Sequence, residues 1–231
     1  MISAAVGIFY LIALVFSVII HELAHGYVAY YLGDLTAKYE KRLTLNPLRH
    51  LDPFGSIILP LLLFFLQSPV LFGWAKPVPI NPYNFKDQKW GSFKVAIAGP
   101  LSNLALAILL GLVSRILPLT SSEKREAVFS FLGTLSSASG GFASNSYYQS
   151  LFLYLSIIIF LNISLAIFNL IPIPPLDGHW ILFQFLPESF SKAKFFLQQY
   201  GMFILMFLVF FGGLQWMSGL VLRIFLAITG I

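Results

Sequence analysis

The sequence predicts an all-α polytopic membrane protein of about four to six membrane helices, with a re-entrant segment and short β-like loops. Three observations carry that expectation. Only 10% of the 231 residues are charged and 58% are hydrophobic, with 24 Phe, whereas a soluble domain carries about 25% charged residues. The apolar residues collect into long uncharged runs of membrane-spanning length. The few charges fall mostly between those runs. A soluble one- or two-domain protein, a disordered chain and a fibre are all excluded. The net charge of +5 is too thin for a nucleic-acid partner, and basic residues in such a chain mainly report orientation. With no cysteine, disulfides and thiolate metal sites are excluded.

Residues 5–20 carry no charge, and a helix-compatible run continues to Leu32. No basic segment precedes it and no small-residue cleavage site ends it, so it reads as a retained anchor. Its 28 residues make ~42 Å of helix, enough to span with tilt. Residues 33–53 are polar and basic. Residues 54–72 are apolar but broken by Pro60 and Pro69, and 73–94 are Pro-rich and basic. Residues 95–117 form a second clean span, 118–148 a Ser/Gly-rich loop, and 149–171 a third span ending at Pro172-Ile173-Pro174-Pro175. A short apolar piece runs to Leu186, and a long stretch, 200–229, contains Gly212-Gly213. The chain reads as a single integral membrane domain, 1–231, with a core over 1–190 and a C-terminal helical segment over 195–231.

Charge inside an apolar span costs ~2.5–3.5 kcal/mol per group, so such groups are functional suspects. Two places qualify. One is His21-Glu22-Leu23-Ala24-His25, inside the first span. The other is Asp177, the only charged residue between Glu126 and Glu188. The first matches H-E-x-x-H, for which this chain's His and Glu frequencies predict roughly 0.003 chance occurrences. On a helix, positions four apart share a face, so both imidazoles can hold one metal ion. The adjacent Glu can take a proton from a water that the metal acidifies toward a pKa of ~7. The bland alternative is an intramembrane polar cluster that ties helices together.

A catalytic zinc needs a third protein ligand and an open position. The metzincin extension requires His at position 31, which is Tyr31. Glu40 lies in a polar loop. Asp177, after a proline-broken turn, is the natural candidate; its alternative role is an N-cap for a helix starting near Gly178. His179 is an alternative ligand, better read as second to Asp177 or interfacial. His50 reads as a surface residue.

If His21, His25 and Asp177 share one ion, they lie at one depth. Spans 95–117 and 149–171 cross twice, so 54–72 cannot cross once and is expected to be re-entrant or interfacial, buried in protein or lining a cavity. Residues 33–53 and 73–94 then share a side and hold eight of the fourteen Lys/Arg, against Lys124 and Arg125 in the opposite loop. The positive-inside rule turns the site toward the cytosol and the N-terminus outward.

These motifs resemble the site-2 protease family of intramembrane zinc metalloproteases. Beside HELAH, Asn169-Leu170-Ile171-Pro172-Ile173-Pro174-Pro175-Leu176-Asp177-Gly178 is similar to the family's N-x-x-P-x-P-x-L-D-G. Ala98-Gly99-Pro100-Leu101-Ser102-Asn103 is similar to its A-G-P-x-x-N. Residues 45–55 and 72–79 resemble a compact prokaryotic subgroup, and the chain has no room for PDZ or CBS domains. The likeness covers roughly residues 15–190. It implies one zinc ion held by His21, His25 and Asp177, with Glu22 as general base and acid. It implies Asn169 beside the metal, stabilising an oxyanion or positioning substrate. Asn103 would contact unwound substrate backbone, or else make a helix–helix hydrogen bond. Gly99-Pro100 is expected to shape the start of a helix.

The implied activity is hydrolysis of peptide bonds in or near transmembrane segments of membrane proteins, as in regulated intramembrane proteolysis. The basic, Pro-rich segments would offer strand edges to hold an unwound substrate. The expected setting is a prokaryotic inner membrane with the site on its cytosolic side. The partners are transmembrane substrates and the bilayer. Two rivals are a metal transporter with the same ligands, for which no internal repeat is found, and a catalytically silent scaffold, for which an intact Glu22 is superfluous. The sequence leaves the substrate's identity and the oligomeric state open.

Overall fold

The computed structural model of the chain describes residues 4–59, 62, 65–66, 75–136 and 146–231. Among these residues the regular elements are all helical: α1 (Ala4–Tyr31), α2 (Thr36–Tyr39), α3 (Gly91–Arg115), α4 (Ser121–Ser136), α5 (Tyr147–Asn169), α6 (Gly178–Phe185), α7 (Ser191–Phe210) and α8 (Trp216–Thr229). Four stretches are long and apolar enough to cross a membrane: Val6–Tyr31, Gly91–Arg115, Tyr147–Asn169 and Glu188–Phe210. Their outward side chains include Ile8, Leu11 and Phe16 on α1, Leu109 and Leu112 on α3, and Phe203 and Phe207 on α7, all exposed. In water such a surface would drive aggregation; in hydrocarbon it is the expected solvent-facing side.

Several expectations need adjusting. The β-like loops form no strand among the described residues; 75–81 runs without regular structure. Of the expected re-entrant segment, a π-type turn at Pro53–Ile58 is seen; Pro60, Pro69 and most of 60–74 lie outside the described residues, as do the first three residues of the 72–79 motif. The loop expected over 118–148 contains a helix, α4. Its start is a capping box: the Glu123 carboxylate accepts from Thr120 N at 2.7 Å, and Thr120 Oγ1 accepts from Glu123 N at 3.3 Å. Thr120-x-x-Glu123 is a readable helix-start signal that polar composition obscured. Gly99-Pro100 lies in the interior of α3, not at its start.

The helices divide between two compact units. One comprises residues 1–17, 103–167 and 216–231; the other comprises 18–102 and 168–215. In the first, Phe152, Ile159 and Ile163 of α5 pack with Ala107 of α3 and with Val221 and Phe225 of α8. Val6 and Ala13 of α1 pack with Leu153, Ile157 and Leu161. Gly111 admits α8 closely, since a Cβ there would overlap Ile228 Cγ2. Arg115 donates to the Ala227 and Ile228 carbonyls at 2.5 and 2.8 Å, which satisfies the open end of α8. At the centre, Asn103 donates to Asn162 Oδ1 at 2.7 Å and to Ser17 O at 3.2 Å, while Asn162 donates to Ser17 Oγ at 2.8 Å.

In the second unit, the loop after α1 and the segment 75–86 are held by buried polar groups. Asp34, fully buried, accepts from Thr36, from Asn81 N at 2.7 Å and from Asn84 Nδ2 at 2.9 Å. Arg42, also buried, donates to Lys76 O and Pro77 O at 2.7 and 3.2 Å. Lys76 N donates to His50 O at 2.9 Å, and Lys86 N to Leu32 O at 2.7 Å. His50 is therefore not a surface residue: it is 2% exposed and its ring bonds Thr44 O at 2.8 Å.

Two predictions test this scaffold. Asn162→Ala removes the shared acceptor of Asn103 and is expected to cost about 1–2 kcal/mol in detergent unfolding. The Asn103→Ala/Asn162→Ala pair should cost less than the sum of the singles; strict additivity would show that the two amides are not coupled. For Asp34, burial alone pushes the carboxyl up, but its hydrogen bonds outweigh that and hold it below the ordinary 3.8. Its stabilisation is thus complete above pH ~4 and lost as pH falls through the lower folded value. Unfolding midpoints between pH 2 and 6 should fall more steeply for wild type than for Asp34→Asn.

Candidate active site and metal centre

The site lies in the second unit. In α1, the period of 3.6 residues brings His21 and His25 onto one face, where their Nε2 atoms are 3.0 Å apart and both rings are buried. His25 Nδ1 lies 2.7 Å from Val95 O. A carbonyl can only accept, so Nδ1 carries the proton and Nε2 presents its lone pair. Across from this pair, the turn after α5 delivers Asp177. It occupies the N-cap position of α6, yet its side chain makes no cap hydrogen bond. Its Oδ2 instead lies 3.0 Å from His21 Nε2 and 3.3 Å from His25 Nε2. That oxygen is buried and meets no hydrogen-bond donor.

The donor set fits zinc. Two imidazole nitrogens and one carboxylate oxygen converge within 4.8 Å of one another. At zinc bond lengths of ~2.0–2.1 Å, neighbouring ligands of a tetrahedral site are about 3.3 Å apart, close to the separations seen. The Nε2 lone pair of His25 and the Asp177 carboxylate oxygen would otherwise face one another in a buried place. Two glycines make room. A Cβ on Gly99 of α3 would collide with His25 Nε2 and His21. A Cβ on Gly178 would collide with the Leu170 carbonyl oxygen, so the turn could not close. From α7, Gly201 packs on Pro174 O, 2.6 Å from where its Cβ would be.

Beside His21, His25 and Asp177 is a cavity of about 320 Å3, also lined by Glu22, Asn169, Val78, Phe85 and Trp180. Glu22 Oε2 accepts from Val78 N at 2.8 Å, which fixes its carboxylate at the cavity wall. Asn169, the last residue of α5, faces the same space. The site lacks two candidates. His179 is buried, with its ring on Leu176 O; burial lowers its pKa. Asn103 is fully buried in the Asn103–Asn162–Ser17 network of the other unit, which is the helix–helix role. Sequence reasoning missed Val78, Asp34 and Arg42. No motif marks Val78, because its contribution is a backbone N–H.

The profile of peptidase family M50 matches residues 9–211. The chain belongs to this family, that of the site-2 proteases. Among curated proteins it is 39% identical over 200 residues to YwhC of Bacillus subtilis, named as a candidate zinc metalloprotease; the match covers 87% of this chain and 78% of that protein. It is 29% identical over 212 residues to Rip2 of Mycolicibacterium smegmatis, similarly named, covering 88% of this chain and 68% of that one. Rip2 of Mycobacterium tuberculosis matches at 27%, over 88% and 70%. No solved structure matches. The M50 protein described here is an integral membrane zinc metalloprotease.

Gly99→Ala places a methyl group against both imidazoles. It is expected to weaken zinc binding by about 10–100-fold, as disturbed ligand orientation does elsewhere. Metal content of the purified protein after titration with a chelator measures it; unchanged retention would show that the histidines can move aside.

Proposed function

We propose that this M50 protease cleaves peptide bonds in or near transmembrane segments of other membrane proteins, with His21, His25 and Asp177 holding the zinc and Glu22 moving the proton. The observation that carries this reading is the Glu22 carboxylate, held by Val78 N at the wall of the cavity that the three ligand residues share. A bound zinc ion supplies Lewis acidity to a water molecule and to the scissile carbonyl. Glu22 accepts the proton as water oxygen bonds the carbonyl carbon. It then returns a proton to the amide nitrogen as the C–N bond breaks. Asn169 offers side-chain N–H donors to the developing oxyanion. Val78, Phe85 and Trp180 make apolar walls, which lower the local dielectric and strengthen these charge interactions.

The strand edge expected of 73–94 meets an obstacle at 76–79. Pro77 and Pro79 have no N–H, and Val78 N is committed to Glu22. Lys76 N is committed to His50, and the carbonyls of Lys76 and Pro77 to Arg42. This stretch holds Glu22 rather than the substrate. The basic segments on both sides of it favour a site facing the cytosol, in the cell membrane of a bacterium, as the organisms of the relatives suggest.

Glu22→Gln should reduce cleavage of a transmembrane reporter by about 10²–10⁴-fold with zinc content unchanged. Asn169→Ala should cost about 10²–10³-fold in kcat, again with zinc retained. Undiminished cleavage by Glu22→Gln would sink the assignment of the base.

A further inference from the structure

A second concave site lies well away from the zinc ligands in sequence, in the loop that follows α1. It encloses about 380 Å3 and is lined by Lys38, Lys41, Leu43, Thr44, Asn46 and Arg49. That volume is within the range of small-molecule sites, about 300–1,000 Å3. Three of the six lining residues are cations and none is an acid. Among the described residues no carboxylate forms an ion pair with Lys38, Lys41 or Arg49, and Glu40, between the lysines, pairs with neither. Three like charges around one concavity repel one another unless an anion sits among them.

The backbone is shaped to gather them. Lys41 has φ of 53°, the left-handed residue that closes α2, with Arg42 N bonded to Ala37 O at 2.9 Å and Lys41 N to Lys38 O at 3.0 Å, so the cap brings Lys38 and Lys41 into one turn. Lys38 is steadied by Tyr30, donating to its hydroxyl at 3.4 Å and lying 5.1 Å from its ring centroid. Asn46 Oδ1 accepts from Leu48 N at 3.1 Å, which leaves the two N–H donors of its amide for a ligand. Thr44 Oγ1 accepts from Asn46 N at 3.2 Å, so its own O–H is likewise a donor. Amide, hydroxyl, ammonium and guanidinium donors around one space suit a phosphate group.

The surroundings say where that phosphate comes from. Tyr31, Tyr39, Leu45 and Leu48 are 58–78% exposed, next to the cations in sequence and just beyond the end of the first span. Aromatic and aliphatic side chains at a span's end belong at the membrane interface, where anionic headgroups are concentrated. We propose that Lys38, Lys41, Arg49, Thr44 and Asn46 form a phosphate-binding cleft that takes the headgroup of an anionic phospholipid from the surrounding membrane. The inference is independent of the protease chemistry.

Native mass spectrometry of the full-length zinc-loaded protein in detergent tests it, with phosphatidylglycerol, phosphatidylcholine and inorganic phosphate as separate additions. Wild type is expected to retain phosphatidylglycerol and not phosphatidylcholine. The triple variant Lys38→Gln/Lys41→Gln/Arg49→Gln is expected to bind phosphatidylglycerol about a hundredfold more weakly. A control of equal charge loss, Lys89→Gln/Lys192→Gln/Arg223→Gln, should bind as wild type does. Unfolding temperature in lipid-free detergent confirms that both variants fold; if the triple variant does not, Lys41→Gln and Arg49→Gln are compared singly. Equal weakening in the control would mean diffuse charge and overturn the cleft. Binding of inorganic phosphate with no response to phosphatidylglycerol would overturn the lipid source, and unweakened lipid binding by the triple variant would overturn the proposal outright.

Discussion

Asp177 Oδ2 faces the Nε2 atoms of two imidazoles, at 3.0 Å from His21 and 3.3 Å from His25, and the second compact unit is arranged around that confrontation. For His25 the tautomer follows from Val95 O, which must receive the Nδ1 proton. Backbone atoms of α3 therefore decide which nitrogen of an α1 residue looks into the site. The same helix has to approach closely, and it can because residue 99 has no Cβ. From the other direction, Asp177 is carried by a turn whose closure needs Gly178 and whose outer side is covered by Gly201 of α7. Each of these is a steric condition for a geometry that only a cation makes favourable.

The proposed base has a different support. Glu22 is positioned by a single backbone N–H, that of Val78, on a segment with little regular structure of its own. What holds that segment is buried charge. Arg42 binds its carbonyls and Asp34 its amides. Among the described residues neither charge is paired with an opposite one; Arg42 is solvated by peptide carbonyls and Asp34 by a peptide N–H and small polar side chains. Such an arrangement is costly to bury and more costly to break, since removing one partner leaves an uncompensated group. That asymmetry gives an irregular segment the rigidity that a proton-transferring carboxylate requires.

The convergence of the candidate ligands and most helices were legible because both rest on patterns with a physical period. HELAH places two rings on one face, and uncharged runs of more than twenty residues have few other uses. The structure extends α1 over Ala4–Tyr31, close to the expected run. Other features were hidden for identifiable reasons. α4 starts with Ser121-Ser122-Glu123-Lys124-Arg125, so composition suggested a loop although Thr120 and Glu123 cap a helix. Asp34, Arg42 and His50 looked like members of a solvated basic loop. Burial of a charge depends on carbonyls and amides brought from more than 30 residues away, as Lys76 is for Arg42 and Asn81 for Asp34, and no local pattern encodes them. Asn103 had two readings, substrate contact or helix tie. The deciding partner, Asn162, lies in a span whose hydropathy drew no attention to it.

Two clusters of buried polar groups, one in each compact unit, differ in chemistry. In one, Asn103, Asn162 and Ser17 match donor to acceptor. A neutral network of that kind satisfies its members and has no further capacity, so it stabilises without reacting. In the other, Asp177 Oδ2 is buried with no donor and two ring nitrogens crowd it at 3.0 and 3.3 Å. An apolar chain with nine acidic side chains in 231 residues has little reason to bury one of them facing two histidines for the sake of stability. An ion that all three could hold would justify the expense, and under the proposed function Glu22 would give that ion a reaction to perform.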